Sequence, residues 1–96
     1  MQTINRGEIT QGNYVKYCKF SNAVLWKTKE ISLPPEEIER AKHYQVEHII
    51  FIDIEKNEMR GAKLQKILDI GEYRTEGQER QLYIPIDELT KKPFRK

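Results

Sequence analysis

Cysteine, glycine and long apolar runs are scarce in this chain of 96 residues, and each shortage removes a class of structure. The one cysteine, Cys18, cannot form a disulfide within the chain or a cysteine-rich zinc site. The five glycines are too scattered to build a phosphate-binding loop or a dinucleotide fingerprint. No apolar run, including the one at 49–52, approaches the roughly 20 residues of a membrane span. The amino terminus also lacks the apolar core of a signal peptide. These shortages predict a cytoplasmic protein that holds no cofactor and contacts no membrane.

The composition combines few apolar residues with many charged ones. Hydrophobic residues make up 38% of the chain and charged residues 33%, while the formal net charge is only +2. Because an ordinary globular chain is about 25% charged, we expect a thin core beneath a heavily charged surface. The length allows one domain, 1–96, with a loosely ordered arm at 1–12, a folded core at 13–90 and a basic tail at 91–96.

The first half of the chain predicts a β-hairpin followed by a helix. Segments 14–20 and 23–31 are rich in β-forming residues, and Ser21-Asn22 between them can turn the chain. Pro35 suits the first turn of a helix, where its missing N–H costs nothing, and the acidic residues after it favour the positive end of the helix dipole. Ile38 and Ala41 then face inward, so we expect a helix over 35–44.

The second half predicts mostly strands. Segment 46–54, with its continuous apolar centre, suggests a buried central strand. Segment 59–68 fits either a returning strand or a short helix, and we interpret it as a short strand leading into a helix that ends near Gly71. Segment 80–86 alternates between apolar and polar residues, and Pro85 places it at a sheet edge or at a strand end. Together these elements predict an α+β fold: a small mixed, mostly antiparallel sheet of about five strands (β-β-α-β-β-(α)-β) with one main helix packed on one face.

Basic and aromatic residues intermix in the predicted hairpin, and basic residues return in the tail. Lysines neutralise phosphates and aromatic rings stack on bases, although a domain this small also needs aromatic residues for its core. We therefore expect a non-catalytic binding or regulatory module that engages a nucleic acid or an acidic protein surface. The candidate residues are Tyr14, Lys16, Tyr17, Lys19, Trp26, Lys27, Lys29, Lys91, Lys92, Arg95 and Lys96.

A small metal-dependent nuclease is the alternative hypothesis. It would use Asp53 and Glu55 at the end of the buried strand, with Glu58 or Asp69 as a further ligand. Such sites usually place an acidic residue two positions before a lysine, and no lysine of this chain has one at that offset. A solvated turn is therefore the better interpretation of this acidic segment.

Other catalytic chemistry finds little support. His43 and His48 lie five positions apart across a predicted helix-to-strand junction, and the sequence nominates no third metal ligand beside them. Cys18 between Tyr17 and Lys19 is expected to be a strand cysteine rather than a nucleophile, because no base is placed near it.

A homodimer through an edge strand is the last expectation. The thin core and the predicted terminal strand at 80–86 motivate it, since pairing across a two-fold axis would hide that edge. The first hairpin offers an equally good edge.

Overall fold

The computed structural model describes residues 7–20, 24–25, 27–53 and 55–91, and within them the chain forms strands, two α-helices and a short 3₁₀ helix, Ile86–Glu88. The helices are α1 (Pro35–His43) and α2 (Leu64–Ile70). The strands are β1 (Glu8–Thr10), β2 (Asn13–Cys18), β3 (Val24–Leu25), β4 (Glu30–Leu33), β5 (His48–Asp53), β6 (Glu58–Lys63), β7 (Glu72–Glu76) and β8 (Glu79–Pro85).

The strands form two four-stranded sheets. The first sheet has the order β1-β2-β5-β6, and the second has the order β3-β4-β8-β7. Every pairing is antiparallel except that of β2 with β5, in which Asn13 lies opposite His48 and Cys18 opposite Asp53. A parallel pair needs a long crossover connection, and here β3, β4 and α1 provide it.

One core joins both sheets and both helices. Because side chains alternate along a strand, one face of each sheet supplies apolar residues to it. The helix α1 adds Ile38 and Ala41, and α2 adds Ile67, all fully buried. The largest buried apolar side chains are Tyr14, Phe20, Ile31, Leu33, Ile38, Ile49, Phe51, Ile67, Leu82 and Ile84.

The α+β class with mostly antiparallel sheets is confirmed, as are the main helix, the buried strand of the first sheet and the strand leading into α2. The predicted first hairpin is wrong. Strand β2 pairs with β1 and β5 in the first sheet, whereas β3 pairs with β4 in the second. The strands therefore divide between two sheets rather than forming one sheet of about five.

Two further expectations change. Segment 80–86 is not an edge strand, because β8 pairs with β4 on one side and with β7 on the other. Pro85 is the last residue of β8, which agrees with the alternative that it lies at a strand end. Residues 8–10, assigned to a loose arm, form β1 and pair with β2 through a two-residue turn at Gln11 and Gly12. Both turn residues have positive φ, as such hairpins require.

Candidate functional site

Two residues of the predicted binding surface, Tyr14 and Lys16, instead belong to a cluster around Glu37 of α1. Glu37 is 8% exposed and Tyr14 is fully buried. The Tyr14 hydroxyl donates a hydrogen bond to Glu37 Oε1, and Lys16 Nζ lies 2.9 Å from Oε2. Burial raises the pKa of the Tyr14 phenol above its ordinary value, and the hydrogen bond to Glu37 adds to the rise. The phenol therefore keeps its proton, and neither side chain is offered to a partner.

The same cluster binds the backbone of Gly7. The Gly7 N–H donates to Glu37 Oε1 at 3.3 Å, and Arg40 Nη1 donates to the Gly7 carbonyl at 2.7 Å. A Cβ atom at position 7 would lie 2.3 Å from the Tyr14 ring, so the backbone approaches this closely only as glycine. The cluster thus fastens the segment before β1 to α1, which is a structural task.

Asp53, the first residue of the nuclease hypothesis, also has a structural task. Its side chain is buried, Oδ2 accepts the backbone N–H of Phe20 at 2.9 Å, and Oδ1 accepts that of Lys56 at 3.1 Å. These hydrogen bonds, the one from Phe20 first, hold the pKa of Asp53 below its ordinary value. Glu55 is exposed and pairs with Lys19 instead. Asp53 therefore joins the end of β2 to the turn after β5.

The remaining candidate residues divide into exposed ones and ones outside the described part of the chain. Lys27 and Lys29 are exposed in the turn between β3 and β4, and Lys91 is exposed after the last 3₁₀ turn. Tyr17 is 41% exposed on the outer face of the first sheet, beside a hollow of about 130 Å³ that Ile52 also lines. The residues that lie outside the described ranges are Trp26, Lys92, Arg95 and Lys96.

Hydrogen bonds and ion pairs bring basic residues from separate segments to one end of the molecule. The Ile86 N–H donates to the Lys29 carbonyl at 2.9 Å, and Arg60 Nη1 donates to the Ile86 carbonyl at 3.3 Å. Glu58 accepts a hydrogen bond from Arg60 Nε at 3.1 Å and lies 3.6 Å from Lys91 Nζ. The turn before β4, the middle of β6 and the residue after Thr90 are therefore neighbours.

The carboxyl ends of the parallel strands β2 and β5 lie at this same end. Glu58 is opposite Asp53 in the β5–β6 ladder, and Asp53 binds the N–H of Lys56. Lys19, which follows β2, lies 3.1 Å from Glu55. We call this surface the basic end, and its described members are Lys19, Lys27, Lys29, Lys56, Arg60 and Lys91.

Most carboxylates at or beside the basic end are engaged within the protein. Asp53 is buried, Glu58 pairs with Arg60, Glu30 pairs with Arg74, and Glu88 lies 4.0 Å from Lys66. Among the residues that the structure describes, Lys27 and Lys29 have no ion-pair partner. Both side chains of the Lys19–Glu55 ion pair are exposed, so the pair contributes only about 0–1 kcal/mol to stability. A polyanion could therefore take the place of Glu55 as the partner of Lys19 at little cost in free energy.

The sequence did not point to Lys56 or Arg60 as binding residues, or to the inward position of Glu37. Lys56 lies in the turn before β6 and Arg60 lies within β6. The approach of Arg60 to Lys29, through Ile86, depends on long-range packing that no local pattern shows. Glu37 carried a signal, because it lies four residues before Ala41 and next to Ile38 on the buried face of α1.

Nothing in the described ranges forms a metal centre: no group of three or more His, Cys, Asp or Glu side chains lies close enough to share an ion. Burial raises the pKa of the Cys18 thiol to about 11, which leaves it protonated and weakly nucleophilic at neutral pH. Neither α1, α2 nor any other helical part of the described chain has the length and apolar composition for crossing a membrane.

Comparison with known proteins returns no relative. No family model, no curated protein and no solved structure matches the chain. The candidate site of this α+β fold is accordingly defined by its own residues, those of the basic end.

Proposed function

We propose that the protein is a non-catalytic binding module and that the basic end is its binding surface. The partner is a polyanion, either a nucleic acid or an acidic protein surface. The surface differs from the basic, aromatic hairpin expected from the sequence, because Tyr14 and Lys16 are committed to Glu37. It retains Lys19, Lys27, Lys29 and Lys91.

The observation that carries this proposal is the set of contacts through Ile86 and Glu58. Ile86 binds the backbone of Lys29 and the side chain of Arg60, while Glu58 binds Arg60 and lies beside Lys91. Exposed lysines gathered in this way would attract a polyanion although the whole chain carries only +2. In the sequence, Lys92, Arg95 and Lys96 come after Lys91, outside the described residues.

The nuclease alternative stays a prediction without support from the site. Asp53 is 1% exposed, and each of its carboxylate oxygens already accepts a backbone hydrogen bond. The expected homodimer also stays a prediction. Within the described residues, the sheet edges are β1 and β6 in the first sheet and β3 and β7 in the second. The edge of β6 is already partly occupied, because Gly61 pairs with Thr90.

Binding to labelled polyanions tests the proposal. Duplex DNA, single-stranded RNA and polyglutamate are titrated with the full chain at low and near-physiological salt, and fluorescence anisotropy is followed. We expect saturable binding to at least one polyanion, weakened by salt. Absence of binding to all three polyanions at low salt would refute the proposed function.

A further inference from the structure

We infer that the basic end binds the phosphate backbone of a nucleic acid without base-specific contacts. This inference rests on the proposed function and narrows it, because it selects nucleic acid over an acidic protein and phosphate over base edges.

The residue types of the basic end favour a nucleic acid. Five of its six described members are lysines, and Lys19, Lys27, Lys29, Lys56 and Lys91 are all exposed. Lysine is depleted at protein–protein interfaces, whose centres are apolar and largely free of charge. Phosphate contacts need only mobile cations, since most of the favourable free energy comes from release of counterions. A surface of exposed lysines is therefore suited to phosphates.

The one arginine of the surface shows why base-specific contacts are not expected. Arginine recognises guanine with two parallel N–H donors of its guanidinium group. Arg60 Nε donates to Glu58 and Arg60 Nη1 donates to the Ile86 carbonyl, so two of its five N–H donors are already engaged within the protein. Its side chain is about 20% exposed, which leaves little room to reach a base edge. The lysines act as point charges that fix position rather than sequence.

Lys27 and Lys29 allow the most direct test of phosphate binding, because they lie exposed in one turn and pair with no acidic residue in the described ranges. Each lysine that neutralises a duplex phosphate contributes about −0.9 to the slope of log K against log salt concentration. Removing both lysines should therefore reduce the magnitude of that slope by about 1.8. Binding should also weaken by the same factor for every sequence.

The experiment compares two double variants with equal loss of charge. The first is Lys27→Ala with Lys29→Ala. The control is Lys42→Ala with Lys63→Ala, two exposed lysines at the opposite end of the first sheet, where Glu47 binds Gly12 and Leu64. Affinities of the full chain and both variants are measured by anisotropy over a range of salt. The probes are two labelled DNA duplexes of equal length and different sequence, and polyglutamate. Circular dichroism verifies that both variants are folded.

Each outcome decides the inference. Equal affinity for both duplexes, with a reduced slope only in the Lys27/Lys29 variant, supports it. Binding to polyglutamate but not to DNA overturns the inference while the proposed function stands. A marked preference for one duplex overturns the claim that bases are not recognised. Equal slope changes in both variants would show that binding depends on net charge and not on the basic end, which overturns the inference. No binding to any probe refutes the proposed function as well.

Discussion

Replacing Tyr14 by phenylalanine removes one oxygen from the Glu37 cluster and should destabilise the fold substantially. The Tyr14 hydroxyl is fully buried and donates to a carboxylate that is itself nearly buried. A hydrogen bond to a charged group contributes about 1.5–3 kcal/mol to stability. Glu37 keeps its contacts with Gly7 and Lys16, so the carboxylate is not left unpaired. We therefore expect Tyr14→Phe to lower the free energy of unfolding by about 2 kcal/mol.

Thermal and urea unfolding measure this loss. For a domain of this size, 2 kcal/mol corresponds to a fall in Tm of about 8–16 °C. Tyr44→Phe is the matched control, because it removes the same atom from a tyrosine that is 57% exposed at the end of α1. The control should change stability by less than about 0.5 kcal/mol.

A double-mutant cycle with Glu37→Gln assigns the effect to the contact. The two residues should couple by about 0.5–3 kcal/mol. The pH dependence gives a second check, because the pKa of Tyr14 is raised in the folded protein. Above the ordinary tyrosine pKa of 10.0, the unfolded chain ionises first, so the advantage of wild type over Tyr14→Phe should shrink. A Tyr14→Phe variant as stable as the Tyr44→Phe control, or zero coupling, would refute the reasoning.

Three further predictions concern single residues. Gly7→Ala should cost about 1–3 kcal/mol in urea unfolding, because its Cβ would overlap the buried Tyr14 ring; an unchanged midpoint would contradict the described approach of Gly7 to that ring. Asp53, whose folded pKa lies below 3.8, should contribute stability that is present above that pH and lost as the pH falls through the folded pKa. Asp53→Asn should therefore be less stable than wild type at neutral pH and lose less stability in acid, and parallel pH profiles would argue against this role. Cys18, with its pKa near 11, should react with a thiol reagent at neutral pH roughly a hundredfold more slowly than an ordinary cysteine, and unfolding in urea should restore the rate.

Local patterns predicted the elements whose sequence signals are self-contained. Pro35 and the acidic residues after it marked the start of α1, and the apolar run 49–52 marked β5. The strand β1 was missed because three residues with a single apolar side chain, Ile9, are too few to show a strand pattern. Their order comes from pairing with β2 and from the Gly7 contacts. The strand β7 was missed because its residues are mostly polar, although Tyr73 and Thr75 alternate before Gly77.

The candidate site was harder to predict than the elements. The hairpin hypothesis assumed that neighbours in sequence pair in space, but β2 takes β5 as its parallel partner. Because β2 pairs with β5, Tyr14 and Lys16 lie against α1. Lys27 and Lys29 lie instead in a turn of the second sheet. Lys19, Lys27, Lys29 and Lys91, which the sequence predicted as binding residues, are exposed in the structure. Their convergence with Arg60 depends on the Ile86 contacts, which only the tertiary structure contains.

The parallel pairing of β2 with β5 also has a consequence for how the chain folds. Its partners Asn13 and His48 are 35 positions apart, whereas the β1–β2 and β5–β6 ladders join neighbouring strands. Hairpins form in about 1–10 μs, but closing a long connection must first overcome its loop entropy. The joining of these two hairpins, together with the pairing of β4 with β8, whose partners Leu33 and Leu82 lie farther apart still, is therefore expected to limit the folding rate. During synthesis, a chain that has been made only as far as α1 contains β2 but not yet β5. The edge of β2 that later pairs with β5 is therefore still open to other strands.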